Sequence, residues 1–317
     1  MSSVVCTLFE GHYHYGLAAL VNSLCRSGFS GTIFAGFRGT PPAWAKREQP
    51  GFLGPYETFR LKVGSTADII FVRLTTDAHL TNFKPDFMLE VLDNLPKQPR
   101  EIFYLDPDIC VAEDWTFFRD WADCGVALCE DINSPLAKNH PRRIGWRKSF
   151  PEANLGFQGA EYVNGGCVGL QPQYREFLAI WKKLSETMGQ ILGGRDVAKV
   201  EGGSAMASKG FANCFDCTDQ DALNAAREAF AGPTSILGQE AMGFKSGKAI
   251  LPHALGAPKP WRRFYLRDAL AGRPPRLVDK LYLAASQPIA VRSPLHTLIR
   301  QADCGAATLL GRFIRRA

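Results

Sequence analysis

Residues 101–111 have the sequence EIFYLDPDICV, in which a short apolar run ends on two aspartates. The run at 102–105 is apolar and rich in strand-forming side chains, and it predicts a buried strand. Asp106 and Asp108 follow at once, and the chain returns to apolar residues at Ile109. Two like charges at the end of a buried strand indicate either a solvated turn or a site where a cation lies between the carboxylates.

Strand-like and helix-like segments alternate on both sides of this stretch. Strands are predicted at 4–10, 31–37, 67–74, 101–111, 124–132 and 161–170, and helices at 17–29, 84–95, 171–192 and 218–231, the last with Thr218 or Asp219 as its N-cap. This alternation predicts an α/β fold with a mostly parallel central sheet and helices on both faces. Ligands of such sheets bind beyond the carboxyl ends of the strands, where Asp106 and Asp108 would lie.

Composition and length are those of a globular protein with a sizeable core. The chain has 317 residues, of which 46% are hydrophobic and 21% charged. It has no uncharged apolar run of about 18 residues, so no transmembrane helix is predicted. The first residues have no basic region, so no signal peptide is predicted either. The nine cysteines, several within apolar runs, indicate reduced thiols and a cytoplasmic protein.

Positive charge is concentrated at the C-terminal end. Residues 262–317 carry eleven Lys and Arg against three Asp and Glu, a charge of +8, so residues 1–261 carry −2 of the total +6. Residues 295–302 and 307–317 are predicted to be amphipathic helices. They would either lie on an anionic membrane surface or pack on the body of the protein through Leu309, Leu310, Phe313 and Ile314. No nucleic-acid partner is expected, because the body is near neutral and has no binding motif.

The segment HALGAPKPW, residues 253–261, supplies chemistry that would complete a cation site. His253 is a candidate third ligand, Lys259 a point charge suited to a diphosphate, and Gly256 allows close approach of the backbone to a ligand. Carboxylate ligands favour Mg²⁺ or Mn²⁺, which would steady the charge on a leaving diphosphate. Alone, Asp106 and Asp108 also fit a solvated turn, and His253 also fits an ordinary histidine.

Several motifs together resemble those of the family 8 glycosyltransferases. These are H-x-x-G-x-x-K-P-W at 253–261, YLDPD at 104–108, DQDALN at 219–224, YVNGGCVGL at 162–170 and TLFEGHYHYGLAALVNSL at 7–24. The family contains retaining enzymes of GT-A fold, among them bacterial lipooligosaccharide galactosyltransferases and glycogenin. The resemblance implies a Rossmann-like GT-A domain at 1–265, followed by a basic helical extension at 266–317.

The resemblance also implies a role for each matching residue. Asp106, Asp108 and His253 would ligate Mn²⁺, or Mg²⁺ in its place. The nucleotide-diphosphate part of the donor would be bound by Thr7, Leu8, Tyr13, Gly256 and Lys259, with Tyr13 stacked on the base. Lys84 would be either a second diphosphate contact or a surface lysine at a helix start. The donor sugar would be faced by Asp131, Asn164, Asp219 and Gln220, with Gln220 stabilising an oxocarbenium-like carbon during front-face attack.

The expected activity is therefore metal-dependent transfer of a hexose, with retention, from a UDP-sugar to a glycan or lipid-linked acceptor. The expected location is the cytoplasm, with peripheral contact at the inner face of the membrane. The chain departs from the family at Gly11, where an Asp is usual, and Glu10 is the nearest acid. Basic residues at 138–148 form either a solvated loop or a lid or contact for an anionic acceptor. The alternatives are a sugar-nucleotide-binding protein without turnover and a sugar nucleotidyltransferase, whose Gly-rich first loop is missing.

Overall fold

A single sheet of nine strands runs through the part of the chain that the computed structural model describes, residues 2–45, 49–199 and 214–313. The strands are β1 (Ser3–Glu10), β2 (Gly31–Arg38), β3 (Gln49–Pro50), β4 (Thr58–Val63), β5 (Ala67–Arg73), β6 (Ile102–Leu105), β7 (Val126–Glu130), β8 (Val163–Leu170) and β9 (Thr234–Leu237). Their spatial order is β3-β4-β5-β2-β1-β6-β8-β7-β9.

Seven of these nine strands run in the same direction. The central strands β5, β2, β1 and β6 pair in parallel, and only β4 and β8 run against their neighbours. Strand β1 is buried at every position except its last, as expected when both faces of a sheet are covered. The predicted α/β class with a mostly parallel sheet is confirmed.

Helices cover both faces of the sheet. They are α1 (His14–Arg26), α2 (Lys84–Asn94), α3 (Trp115–Asp123), α4 (Pro141–Ser149), α5 (Arg175–Leu192), α6 (Thr218–Ala229), α7 (Tyr265–Leu270), α8 (Leu277–Ala284) and α9 (Pro294–Leu310). One apolar core joins the sheet to α2, α5 and α6. A second core on the opposite face joins it to α1 and α3.

Three sequence predictions about local structure were wrong. The basic segment at 138–148, expected to be a loop or a lid, lies largely in helix α4, which begins at Pro141 after His140 accepts a hydrogen bond from the amide of Arg142. Helix α6 has Cys217, not Thr218 or Asp219, as its N-cap. The two expected tail helices are one continuous helix, α9, and residues 314–317 lie outside the described residues.

The C-terminal helices pack against α1. Tyr265, Tyr282 and Cys304 share an apolar cluster with Ala19 of α1 and with Trp261. The side chain of Asn22 donates to the carbonyls of Ala285 and Ile289, both at 2.9 Å, and accepts from the amide of Ile289 at 2.8 Å. These bonds fix the turn after α8 to the body. None of the described helices combines the length and apolarity needed to cross a bilayer.

Candidate active site

A cleft of about 390 Å³ opens at the carboxyl ends of β1 and β6. Eleven of the thirteen site residues predicted from the sequence line it: Leu8, Tyr13, Lys84, Asp106, Asp108, Asn164, Asp219, Gln220, His253, Gly256 and Lys259. The two that do not line it are Thr7 and Asp131. Residues separated by up to about 250 positions in the sequence therefore meet at one edge of the sheet, as the parallel topology requires.

Thr7 and Asp131 lie behind the cleft wall. The Thr7 side chain is fully buried in β1, and its hydroxyl has no hydrogen-bond partner among the described residues. Asp131 is also buried and accepts a hydrogen bond from Asn164 Nδ2 at 2.7 Å. Its other oxygen accepts from the amide of Asn133 at 2.9 Å. Asp131 therefore orients Asn164 rather than facing the cleft itself.

The turn after β6 places two carboxylates side by side. The amide of Asp106 donates to the carbonyl of Gly166 at 2.9 Å, which extends the pairing with β8. The amide of Ile109 then donates back to the carbonyl of Asp106 at 3.0 Å and closes the turn. Ile109 forms an isolated antiparallel bridge with His253. This bridge brings the distant histidine next to both aspartates.

Asp106, Asp108 and His253 each offer one ligand atom, and these atoms all lie within 4.8 Å of one another. His253 Nε2 is 3.1 Å from Asp108 and 3.7 Å from Asp106. Two carboxylates and an imidazole are a suitable donor set for Mn²⁺. A methyl group on Gly166 would come within 2.7 Å of the His253 ring and 2.9 Å of Asp106, so the cluster needs glycine there.

Lys259 completes what we call the metal end of the cleft, together with Asp106, Asp108 and His253. Its ammonium group is 2.5 Å from Asp108 Oδ2 and also donates to the carbonyl of Ala254 at 2.7 Å. Burial would raise the pKa of Asp108, but His253 and Lys259 outweigh it and hold the pKa well below its usual value. Asp108 is therefore a carboxylate at neutral pH.

Lys84 is a buried cation that joins two carboxylates from different segments. It is 3.2 Å from Asp106 and 2.9 Å from Asp219, and it donates to the carbonyl of Gly165 at 2.8 Å. Burial lowers its pKa, but Asp106 and Asp219 more than compensate and raise it above the usual value. Lys84 is 1% exposed, so of the two alternatives predicted for it the surface lysine was wrong, and the diphosphate contact stays a prediction. Its three N–H groups are already engaged.

A chain of hydrogen bonds forms a neighbouring wall of the cleft, which we call the amide end: Asn164 and Gln220, with Asp131 behind them. Gln220 Oε1 accepts from Asn164 Nδ2 at 3.3 Å and from the amide of Gly165 at 3.2 Å. Asn164 Oδ1 accepts from the amide of Gly166 at 2.8 Å. The first turn of α6 and strand β8 supply these groups, and Asn224 ties the two together with two bonds of 2.8 Å to Val163.

Aromatic rings enclose a third part of the cleft. Tyr13 packs edge-on against Trp261 at 5.5 Å and stacks on His12 at 5.0 Å, and Lys259 lies 5.6 Å from the Tyr13 ring centre. Glu10 lines the same region and forms an ion pair of 2.8 Å with Arg38.

Sequence reasoning missed some of the lining residues. His79 also lines the cleft, although no motif marked it. It precedes the helical turn that leads into α2, and only the folded structure brings it here.

The basic segment at 138–148 is anchored to the protein instead of lying over the cleft. Arg143 is buried and paired with Glu228 of α6, and Arg142 pairs with Asp216. Trp146 is buried and donates to the carbonyl of Cys214 at 2.7 Å. No residue of 138–148 lines the cleft in the described part of the chain. Helix α4 therefore supports the segment that leads into α6.

The fold is that of known glycosyltransferases. The chain is similar to the galactosyltransferase LgtC in complex with donor and acceptor sugar analogs, with a TM-score of 0.51 and 13% identity over 94% of this chain and 99% of that one. It is similar to the bifunctional glycosyltransferase WbbM in its apo form, with a TM-score of 0.53 and 15% identity over 95% of this chain and 52% of WbbM.

The glycosyltransferase GlyE of Streptococcus pneumoniae TIGR4 gives a TM-score of 0.50 and 16% identity, over 98% of this chain and 64% of GlyE. The chain therefore spans nearly all of the LgtC structure, but about half of WbbM and less than two thirds of GlyE. Identities this low establish the fold alone. No protein-family model and no curated protein sequence matches the chain.

Proposed function

We propose that this protein is a metal-dependent glycosyltransferase that moves a hexose from a nucleotide-diphosphate sugar to a glycan or lipid-linked acceptor. One observation carries the proposal. Two carboxylates and an imidazole converge within 4.8 Å at a strand end, beside a lysine, in a cleft that also presents amide groups. The glycosyltransferase fold supports the same conclusion.

In this proposal the metal end binds the diphosphate. Asp106, Asp108 and His253 would hold Mn²⁺ or Mg²⁺, and the ion would neutralise charge on the leaving diphosphate. Lys259 is the natural partner for a phosphate oxygen, because its pKa is raised by Asp108 despite burial and it stays charged. Gly256 has φ +72°, a conformation that favours glycine, and lines the cleft near Lys259.

The aromatic region would bind the base, for which uracil is our proposal. Tyr13 would stack on the base and Leu8 would pack against it. The carboxylate of Glu10 is the acidic group nearest to Tyr13 in the sequence, and it could accept a hydrogen bond from a base N–H in place of the acid missing at Gly11. Thr7 would support this wall from behind, since its side chain is buried.

The amide end would face the donor sugar. Asp219 and Gln220 begin α6, and we propose that Asp219 binds a sugar hydroxyl while Gln220 lies below the anomeric carbon. Asn164 and, behind it, Asp131 would keep Gln220 in place through the hydrogen bonds described above. Front-face attack with retention needs no strong protein nucleophile, so Gln220 would stabilise the oxocarbenium-like carbon through its amide dipole. Lys84 would act by fixing the positions of the Asp106 and Asp219 carboxylates relative to each other.

We further propose that residues 1–265 form the catalytic domain and residues 266–317 a basic extension. The protein would lie in the cytoplasm, with the extension in contact with the inner face of the membrane. A lipid-linked acceptor would make such contact useful. The exposed apolar residues of the extension support this part of the proposal.

Hydrolysis of donor sugars by the purified protein tests the proposal and separates an enzyme from a binding protein. A panel of UDP- and GDP-sugars is incubated with Mn²⁺, or with EDTA, and release of the nucleotide is measured. We expect metal-dependent release from a UDP-sugar, abolished by Asp108→Ala. Binding of the same nucleotide without any release would favour a binding protein.

A further inference from the structure

A second depression, separate from the cleft, lies on the C-terminal helices. It is an open groove of about 860 Å³, with four arginines in its lining: Arg262, Arg267, Arg292 and Arg300. Trp261 lines the groove and also packs on Tyr13, which lines the cleft. The groove and the cleft are therefore separated by two packed aromatic side chains, Trp261 on the groove side and Tyr13 on the cleft side.

Positive charge exceeds negative charge in the lining of this groove. None of the four arginines forms an ion pair with a carboxylate of the described residues. Asp303 is the acidic residue of the lining, and its carboxylate accepts hydrogen bonds from the amides of Tyr265 and Leu266, at 3.1 and 3.2 Å. Its negative charge offsets one of the four arginines, and the lining keeps a positive excess.

The arginines divide into a fixed pair and an exposed pair. Arg292 donates to the carbonyl of Trp261 at 2.9 Å, and Arg300 donates to those of Arg263 and Pro260 at 2.6 and 2.8 Å. Arg262 and Arg267 are exposed, with the guanidinium of Arg267 5.4 Å above the ring of Phe264. The exposed pair has N–H groups available for an anion.

Apolar side chains are exposed beside these charges. Phe264 is 65% exposed, and Leu295, Leu298 and Ile299 are between 59% and 68% exposed on one face of α9. The opposite face of α9 already buries Cys304 and Ala307. The exposed face is therefore not needed to pack α9 on the described body of the protein.

We propose that this groove binds the phosphate headgroup of an anionic lipid. Arg262 and Arg267 would bind the phosphate, Arg292 and Arg300 would add positive charge beside it, and Phe264, Leu298 and Ile299 would contact the acyl chains. Unpaired arginines select an anion, and the adjacent apolar face selects an amphiphile over a free phosphate or an acidic protein surface. The inference deepens the proposed membrane contact by naming the chemical group and its residues, and it places a bound lipid next to the cleft.

Vesicle flotation of the full chain tests the inference. Vesicles of phosphatidylcholine alone are compared with vesicles that also contain phosphatidylglycerol. We expect binding only to the second kind, weakened roughly tenfold or more by Arg262→Glu with Arg267→Glu. The control, Lys97→Glu with Lys245→Glu, makes the same change in net charge at exposed sites outside the groove and should bind like the unchanged protein. Leu298→Asp should also weaken binding.

Three results would overturn the inference. The first is equal loss in the groove and control variants, which would mean attraction by net charge alone. The second is full binding by Leu298→Asp, or displacement by millimolar inorganic phosphate, which would mean a simple anion site. The third is equal binding to both kinds of vesicle. Donor hydrolysis in detergent-free buffer is measured on the same variants, so a failed transferase and a failed lipid site give different results.

Discussion

The two ends of the cleft are built on different physical principles. At the metal end, Asp106, Asp108, His253 and Lys259 are charged or chargeable groups that now bind one another. At the amide end, Asn164 and Gln220 are neutral groups held by hydrogen bonds to each other, to Asp131 and to the backbone of β8. The metal end should therefore exchange partners when a ligand arrives, whereas the amide end should keep the hydrogen bonds that it has in the structure.

Lys84 is the group that couples the two ends. It bridges Asp106 of the metal end and Asp219 beside the amide end, and almost none of it is exposed. A movement of Asp106 would therefore change how strongly Lys84 is held by Asp219, and the reverse. The predictions below separate the contributions of the two ends, beginning with the largest expected effect.

Loss of one carboxylate should disable the metal end. Asp108→Asn removes the charge that a divalent ion would require, and we expect the rate of donor hydrolysis to fall about a thousandfold. Asp77→Asn, which changes an exposed carboxylate elsewhere, is the matched control. The rates are measured with saturating Mn²⁺. A decrease of less than about tenfold would show that Asp108 is not a metal ligand.

Removal of the Lys84 ammonium group should destabilise the fold. Lys84→Met leaves Asp106 and Asp219 without their buried cation, and we expect a loss of about 3 kcal/mol in the free energy of unfolding. Urea denaturation measures it, with the exposed Lys97→Met as control. If the two variants were equally stable, Lys84 would not be the link between the two ends.

A neutral change at the amide end should affect turnover and spare binding. Gln220→Ala removes the group proposed to lie below the anomeric carbon, so kcat should fall about a hundredfold while KM changes little. The control is Gln190→Ala, at an exposed position on α5. A rise in KM with unchanged kcat would instead assign Gln220 to donor binding.

Asp221, a buried carboxyl group next to Gln220 in the first turn of α6, should make the stability of the protein depend on pH. Asp221 accepts hydrogen bonds from the hydroxyl of Tyr162 at 2.9 Å and the amide of Cys217 at 3.0 Å. Burial raises its pKa to about 7, although Arg142 and these bonds oppose the shift. The folded protein therefore holds this proton more tightly than the unfolded chain, and its stability falls as the pH rises from about 4 to 7.

Asp221→Asn removes that dependence. The unchanged protein should lose about 2 kcal/mol of unfolding free energy from this group between pH 5 and pH 8, and the variant should not. Thermal and urea denaturation of both proteins at both pH values measure the difference. Asp77→Asn, at an exposed carboxylate away from Asp221, should show no such gain. Parallel pH profiles for Asp221→Asn and the unchanged protein would contradict the assigned pKa.

Local patterns in the sequence were sufficient for the central strands and the paired aspartates. Asp106 and Asp108 belong to one turn after a strand, so their proximity follows from short-range geometry. The contact of His253 with Asp108 spans 145 positions, and no local pattern fixes it; the chemistry and the family-like motif of 253–261 only made His253 a candidate ligand.

The sequence was misleading where tertiary contacts decide the structure. Helix α4 has many charges, which favoured a loop, but its Arg143 is paired with Glu228 and its Trp146 is buried. Lys84 also resembled a surface residue, because the two carboxylates that compensate its burial lie in other segments. In both cases a buried charge is tolerated only because a distant partner is present.

Thermal melting with UDP, with and without Mn²⁺, tests the metal end most directly. A ligand that binds only the folded protein raises the melting temperature, by an amount equivalent to about 3 kcal/mol at a hundredfold excess over Kd. We predict a shift with UDP and Mn²⁺ together, little with either alone, and none in Asp106→Ala or His253→Ala. An equal shift with UDP in EDTA, or no shift with any nucleotide diphosphate, would contradict a metal-diphosphate site at Asp106, Asp108 and His253.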